Sequence, residues 1–163
     1  MPAPSYRKTI LRIVAVVVVL LVVLLNLFSH VFSIVQYYGN GMEPTLQNQQ
    51  VLILRKTDQV ERGDLVAFYF NNKVLVRRVI CEGGHSIEID ETGLVRINDV
   101  PLEEPYVEEA SLGQSNLSYP CSVPPGQYFV MGDNRAIAMD SRLSEIGTVS
   151  ADRILGKIMF VLG

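Results

Sequence analysis

Two glycines one residue apart, Gly39 and Gly41, lead directly into Met42, Glu43 and Pro44. A backbone bare of side chains at alternate positions lets an extended peptide lie against it, so this stretch offers docking of a strand-like ligand. Arg77 is the second candidate. It sits in the run VLVRRVI, where alternation places it on the face of Leu75 and Val79, a permanent cation among apolar side chains. There it offers a bidentate site to a carboxylate or backbone carbonyl of a partner. The plainer alternative is a stem packed on apolar surface with its head in water at the mouth of a cleft. Gly39, Met42 and Arg77 form the expected partner-binding set, with Met42 packing beneath the cleft and Pro44 fixing φ beside it. The histidines offer less: His85 follows Gly83-Gly84 as a surface turn residue, and His30 falls near the end of an apolar run. No spacing of His and Cys matches a metal site, and no cofactor is expected.

The elements that must position these residues come from an uneven chain. Of its 163 residues 48% are hydrophobic, and the stretch Ile13 to Leu25 is wholly apolar. A helix rising ~1.5 Å per residue needs about 20 apolar residues to cross ~30 Å of hydrocarbon, so residues 10–32 are expected to be a transmembrane signal anchor. The run is too long for a cleaved leader, and no Ala-x-Ala site follows it. Arg7, Lys8 and Arg12 precede it and no cations follow closely, which predicts a cytoplasmic tail over residues 1–9 and an extracytoplasmic domain over residues 33–163. A net charge of −3 without a basic cluster excludes a nucleic-acid footprint. Cys81 and Cys121 are either a disulfide or two small buried residues.

From Val51 onward, alternating apolar stretches (VLILRK, DLVAFYF, VLVRRVI, SIEIDE, LVRIND, QYFVMGDN) are separated by turn residues, predicting mostly antiparallel strands. The Pro-, Ser- and Glu-rich segment from Pro101 to Pro125 reads as a surface excursion too polar for the core.

Four segments in order resemble the boxes of the type I signal peptidases, serine proteases anchored in the membrane: GMEPTL (Gly41 to Leu46), RGDLVAF (Arg62 to Phe68), VRRVI (Val76 to Ile80) and GDNRAIAMDSR (Gly132 to Arg142). The resemblance covers nearly the whole chain. It implies an all-β domain of coiled antiparallel sheets on one membrane helix, which agrees with the strand pattern. It also implies that Arg78, Asp133, Arg135, Asp140 and Arg142 are structural, as partly buried ion pairs around the site.

In that family a serine attacks the scissile carbonyl, a neutral lysine takes its proton and a second serine orients the lysine. The matching positions here are Gly41, Arg77 and Ala138. Glycine has no oxygen to attack with. A guanidinium with a pKa above ~12 has no usable lone pair near neutral pH. Thr45 is expected to brace its turn, and His85 does not restore a dyad. The chain therefore reads as an inactive homologue that binds an extended segment of an exported or pilin-like protein, since degenerate Gram-positive members are associated with pilus assembly. An active peptidase with an unrecognised nucleophile, cleaving after Ala-x-Ala, and a structural relic without a partner are the alternatives.

Overall fold

An apolar helix, α1 (Ser5–Val31), passes without a linker into the first strand, β1 (Phe32–Gln36). The structure, a computed structural model, describes residues 5–57 and 59–163. Its helix starts earlier and stops earlier than the expected span of residues 10–32. Residues 5–9 of the expected tail are helical, residues 1–4 lie outside the described residues, and Phe32 already pairs in the sheet opposite Arg55. The exit from the helix is tied down. The Phe28 and Phe32 rings stack 4.8 Å apart, and Lys56 donates its backbone N–H to Val31 O and its ammonium to Ser29 O, satisfying carbonyls that a helix end leaves open.

The β domain holds two antiparallel sheets. The larger runs in the order β1, β2 (Val51–Arg55), β11 (Ile154–Leu162), β3 (Leu65–Phe70), β4 (Lys73–Glu82), β9 (Gln127–Met131), β10 (Val149–Ser150). The smaller runs β7 (Val100–Pro101), β6 (Val95–Ile97), β5 (Ser86–Ile89), β8 (Cys121–Ser122). Alternation drives the burial: Leu52 and Leu54 of β2 and Ile87 and Ile89 of β5 point inward while their neighbours are partly exposed. The strand segments expected from Val51 to Asn134 all contribute ladders, and β11 adds a central strand between β2 and β3.

The segment from Pro101 to Pro125 is corrected from a surface excursion to a structural cover. Leu102, Tyr106, Leu112, Leu117 and Tyr119 pack onto the core between the sheets, beside Ile80, Phe129 and Met131. Cys81 is buried and Cys121 half-buried, and both thiols are free. Burial pushes the Cys81 thiol up to about 11, which keeps it protonated.

Candidate functional site

β4 sets the position of everything at the groove. Val79 exchanges backbone hydrogen bonds with Gly63 and Asp64 on the β3 side. Alternation then turns the N–H and C=O groups of Val74 and Val76 toward the opposite edge. β9 covers that edge only from Arg78 onward, where Arg78 lies opposite Met131. The stretch from Val74 to Arg77 therefore has an open edge, faced by Tyr38 to Gly41 and by Ile137 and Met139 across a cavity of about 220 Å³.

The two glycines of this wall differ. Gly39 has φ +111°, a backbone conformation that L side chains rarely adopt. Gly41 lies outside the positive-φ region, and a Cβ there would sit 3.2 Å from Arg77 Nη2 and 3.4 Å from its Cζ. The guanidinium thus fills the place a side chain at position 41 would enter. Arg77 is 6% exposed. Its Nε donates to Met139 O at 2.8 Å and its Nη1 to Val76 O at 2.6 Å, so the head spans the groove instead of reaching water at its mouth. Burial holds its pKa below the ordinary value, opposed at longer range by Asp140.

Gly132 brings the third position in. A Cβ on Gly132 would fall 2.3 Å from both Gly41 O and the Ala138 Cβ, so only hydrogen fits between them. Asn134 N–H donates to Gly41 O at 3.1 Å, and Ala138 N–H donates to Asn134 O at 3.1 Å. Gly41, Arg77 and Ala138, distant along the chain, are thereby gathered at one end of the groove.

Met42 is corrected as a partner-contact residue. It is fully buried with Tyr37, Leu46, Ala67 and Val76, and its N–H donates to the Tyr37 hydroxyl at 3.0 Å, so it forms the floor and cannot touch a ligand. Burial pushes the Tyr37 phenol up, keeping it neutral beneath the groove. Pro44 is exposed and follows Glu43 through a cis peptide bond.

Behind the groove stand three arginine–carboxylate forks. Arg78 donates from Nε and Nη2 to Asp133 at 2.9 and 2.6 Å, and Thr45 donates its hydroxyl to the same carboxylate. Arg135 donates from Nη1 and Nη2 to Glu104 at 2.9 and 2.5 Å. Arg142 donates from Nε and Nη2 to Asp140 at 2.8 Å each, while its Nη1 serves the Leu112 and Arg135 carbonyls. Burial pulls the Arg135 pKa down, but the Glu104 carboxylate outweighs it and leaves a net rise. Sequence reasoning missed Glu104 and Tyr106, both in the segment read as an excursion. Tyr106 donates to Glu104 at 2.8 Å and lies under the Arg78 guanidinium, 3.9 Å from ring centroid to Cζ. The apolar residues scattered through that segment were the available signal. His85 stays in its turn, with Nδ1 2.8 Å from Asn98 Nδ2.

A mostly antiparallel β domain preceded by one long apolar helix resembles signal peptidase I. Residues 9–162 match the family described as signal peptidase, peptidase S26, and the chain belongs to that family. It is 36% identical over 136 residues to signal peptidase I T of Bacillus subtilis, covering 76% of this chain and 69% of that protein. With signal peptidase I S of the same organism it shares 30% over 169 aligned positions, covering 96% and 91%. The crystal structure of a signal peptidase I from Enterococcus faecalis superposes with a TM-score of 0.50 at 27% identity, over 62% of this chain and 97% of that one. The long apolar helix from Tyr6 to Val31 and the family membership together point to membrane anchoring.

Proposed function

We propose that this chain is a non-catalytic member of its family that docks an extended segment of an exported protein at the membrane. The observation that carries the reading is the Arg77 guanidinium lodged against Gly41: no oxygen stands where the family resemblance puts the nucleophile, and a cation without a lone pair stands where it puts the base. The neighbouring hydroxyls are already engaged. Thr45 donates to Asp133, and Ser141 is fully buried with its Oγ accepting the Val130 N–H at 2.9 Å. The groove itself persists, with the open edge at Val74 and the Val76 N–H supplying backbone groups that a strand-like ligand pairs with, while Val76 O also accepts from Arg77.

Family membership implies that the occupant is an exported preprotein segment. The resemblance to degenerate Gram-positive members extends this to pilin-like proteins undergoing assembly at the cell surface. Arg7, Lys8 and Arg12 put the N-terminus on the cytoplasmic side and the β domain outside.

The test is cleavage of a leader peptide ending in Ala-x-Ala by the native chain, beside a Gly41→Ser, Arg77→Lys, Ala138→Ser revertant as reference. Loss of a serine-protease nucleophile and base as a unit costs on the order of 10⁶ in turnover, so the native chain is expected to show no cleavage above background. Native turnover comparable with the revertant's would establish an unrecognised nucleophile and end the non-catalytic reading.

A further inference from the structure

We propose that the groove captures the carboxy-terminal end of an extended peptide, with its α-carboxylate seated on Arg77. The inference rests on the groove being a docking site and says which part of a chain it holds.

Four guanidiniums stand around this end of the molecule, and three of them carry a carboxylate fork: Arg78 with Asp133, Arg135 with Glu104 and Arg142 with Asp140. Arg77 is the surplus cation. Its bonds go to two carbonyls, and among the described residues no carboxylate lies within ion-pair distance of it. Nη2 has no acceptor among the described residues and looks toward Gly41, and Nη1 keeps its second hydrogen. The N–H groups left on Nη1 and Nη2 are the donors that a carboxylate takes in bidentate fashion. A buried cation without an anion is costly, so an anionic ligand gains more here than at a surface arginine.

The course of the groove decides where on a peptide the anion must be. A strand laid on the Val74 to Val76 edge runs toward Arg78 and there meets β9, which occupies the same edge from Met131 backward. Arg77 bridges to Met139 O just short of that point and closes the way ahead. A chain ending at Arg77 fits where a continuing chain would have to turn out of the sheet. The cation also selects the polarity, because an amino terminus brought there would be repelled. No acidic side chain lines the cavity, so within it no carboxylate competes for the guanidinium. A second cavity of about 610 Å³, sharing Tyr38, Gly39, Val74 and Leu75 with the first, continues toward Val35 and Lys73 and takes the residues preceding the terminus.

The experiment uses the full chain in lipid nanodiscs and fluorescence anisotropy with a fluorescein-labelled Leu-Ala-Leu-Ala-Ala peptide, as the free acid and as the terminal amide. The acid is expected to bind at least tenfold more tightly than the amide, and Arg77→Gln is expected to erase that difference. Arg77→Lys, which keeps a cation without the fork, is expected to retain part of it. The acid-against-amide comparison on the native chain requires no variant to fold. Equal binding of acid and amide overturns the carboxylate seat and leaves groove docking standing, whereas failure of both peptides to bind overturns the two together. A preference that survives Arg77→Gln, or an amide with an internal glutamate that binds as well as the acid, also overturns the terminal assignment.

Discussion

Arg77 and Arg78 are adjacent in one strand, yet they live in opposite electrostatic settings. Arg78 is held in a fork by Asp133, supported by Gly63 O and the Tyr106 ring, and belongs to the scaffold. Arg77 is more deeply buried and rests on two carbonyls and the bare backbone of Gly41. The difference separates a charge kept for architecture from a charge left available. In the scaffold every buried cation has its anion, so removing either partner strands a charge in a dry interior. At the groove the charge already lacks an anion, so removing it relieves a desolvation cost as well as deleting two hydrogen bonds.

Three substitutions put that contrast at risk, and they should rank in a definite order. Asp140→Ala strands Arg142, whose side chain is wholly inaccessible, and also removes the acceptor of the Gly132 N–H. Losing one partner of such a buried pair costs ~3–5 kcal/mol, a drop visible as a lower thermal midpoint in circular dichroism. A midpoint within a degree or two of native would show that the fork does not hold the box together. Arg78→Met leaves Asp133 with only the Thr45 hydroxyl among its side-chain partners, and because Arg78 is 12% exposed at its side chain, water softens the loss to about 2–3 kcal/mol. Urea titration reads that value directly, and a loss below that of Arg77→Met would invert the comparison. Arg77→Met is the mildest. It forfeits bonds worth roughly 1 kcal/mol each but frees a buried cation from desolvation, so its unfolding free energy is expected within about 1 kcal/mol of native. A penalty matching that of Asp140→Ala would mean that Arg77 is a scaffold residue too.

Much of the fold was legible because it rests on short-range patterns. Alternation in VLILRK, DLVAFYF and VLVRRVI marked strands that burial then used as expected, and the apolar run marked α1. The helix ends one residue before the close of the expected span, because Phe32, as apolar as the residues before it, pairs with β2 as a strand residue. The Pro101 to Pro125 segment was misread for the converse reason: its polar residues outnumber its apolar ones, and its partners lie far along the chain. Glu104 pairs with Arg135 and the Ser111 and Leu112 carbonyls accept from Arg142, each some thirty residues away along the chain. Local composition carries no record of such long-range pairs.

By itself the sequence determined which atoms are present at the groove: no hydroxyl at 41, no amine at 77 and none but a methyl at 138. Side-chain chemistry travels with residue identity and needs no coordinates. Tertiary structure alone decided that the Arg77 head turns inward to fill the space beside Gly41, that Met42 is floor and not contact surface, and that three of four neighbouring guanidiniums meet carboxylates while one does not. Those outcomes depend on which distant segments share a sheet edge, and the free energy of a buried charge is set by what stands within a few ångströms of it.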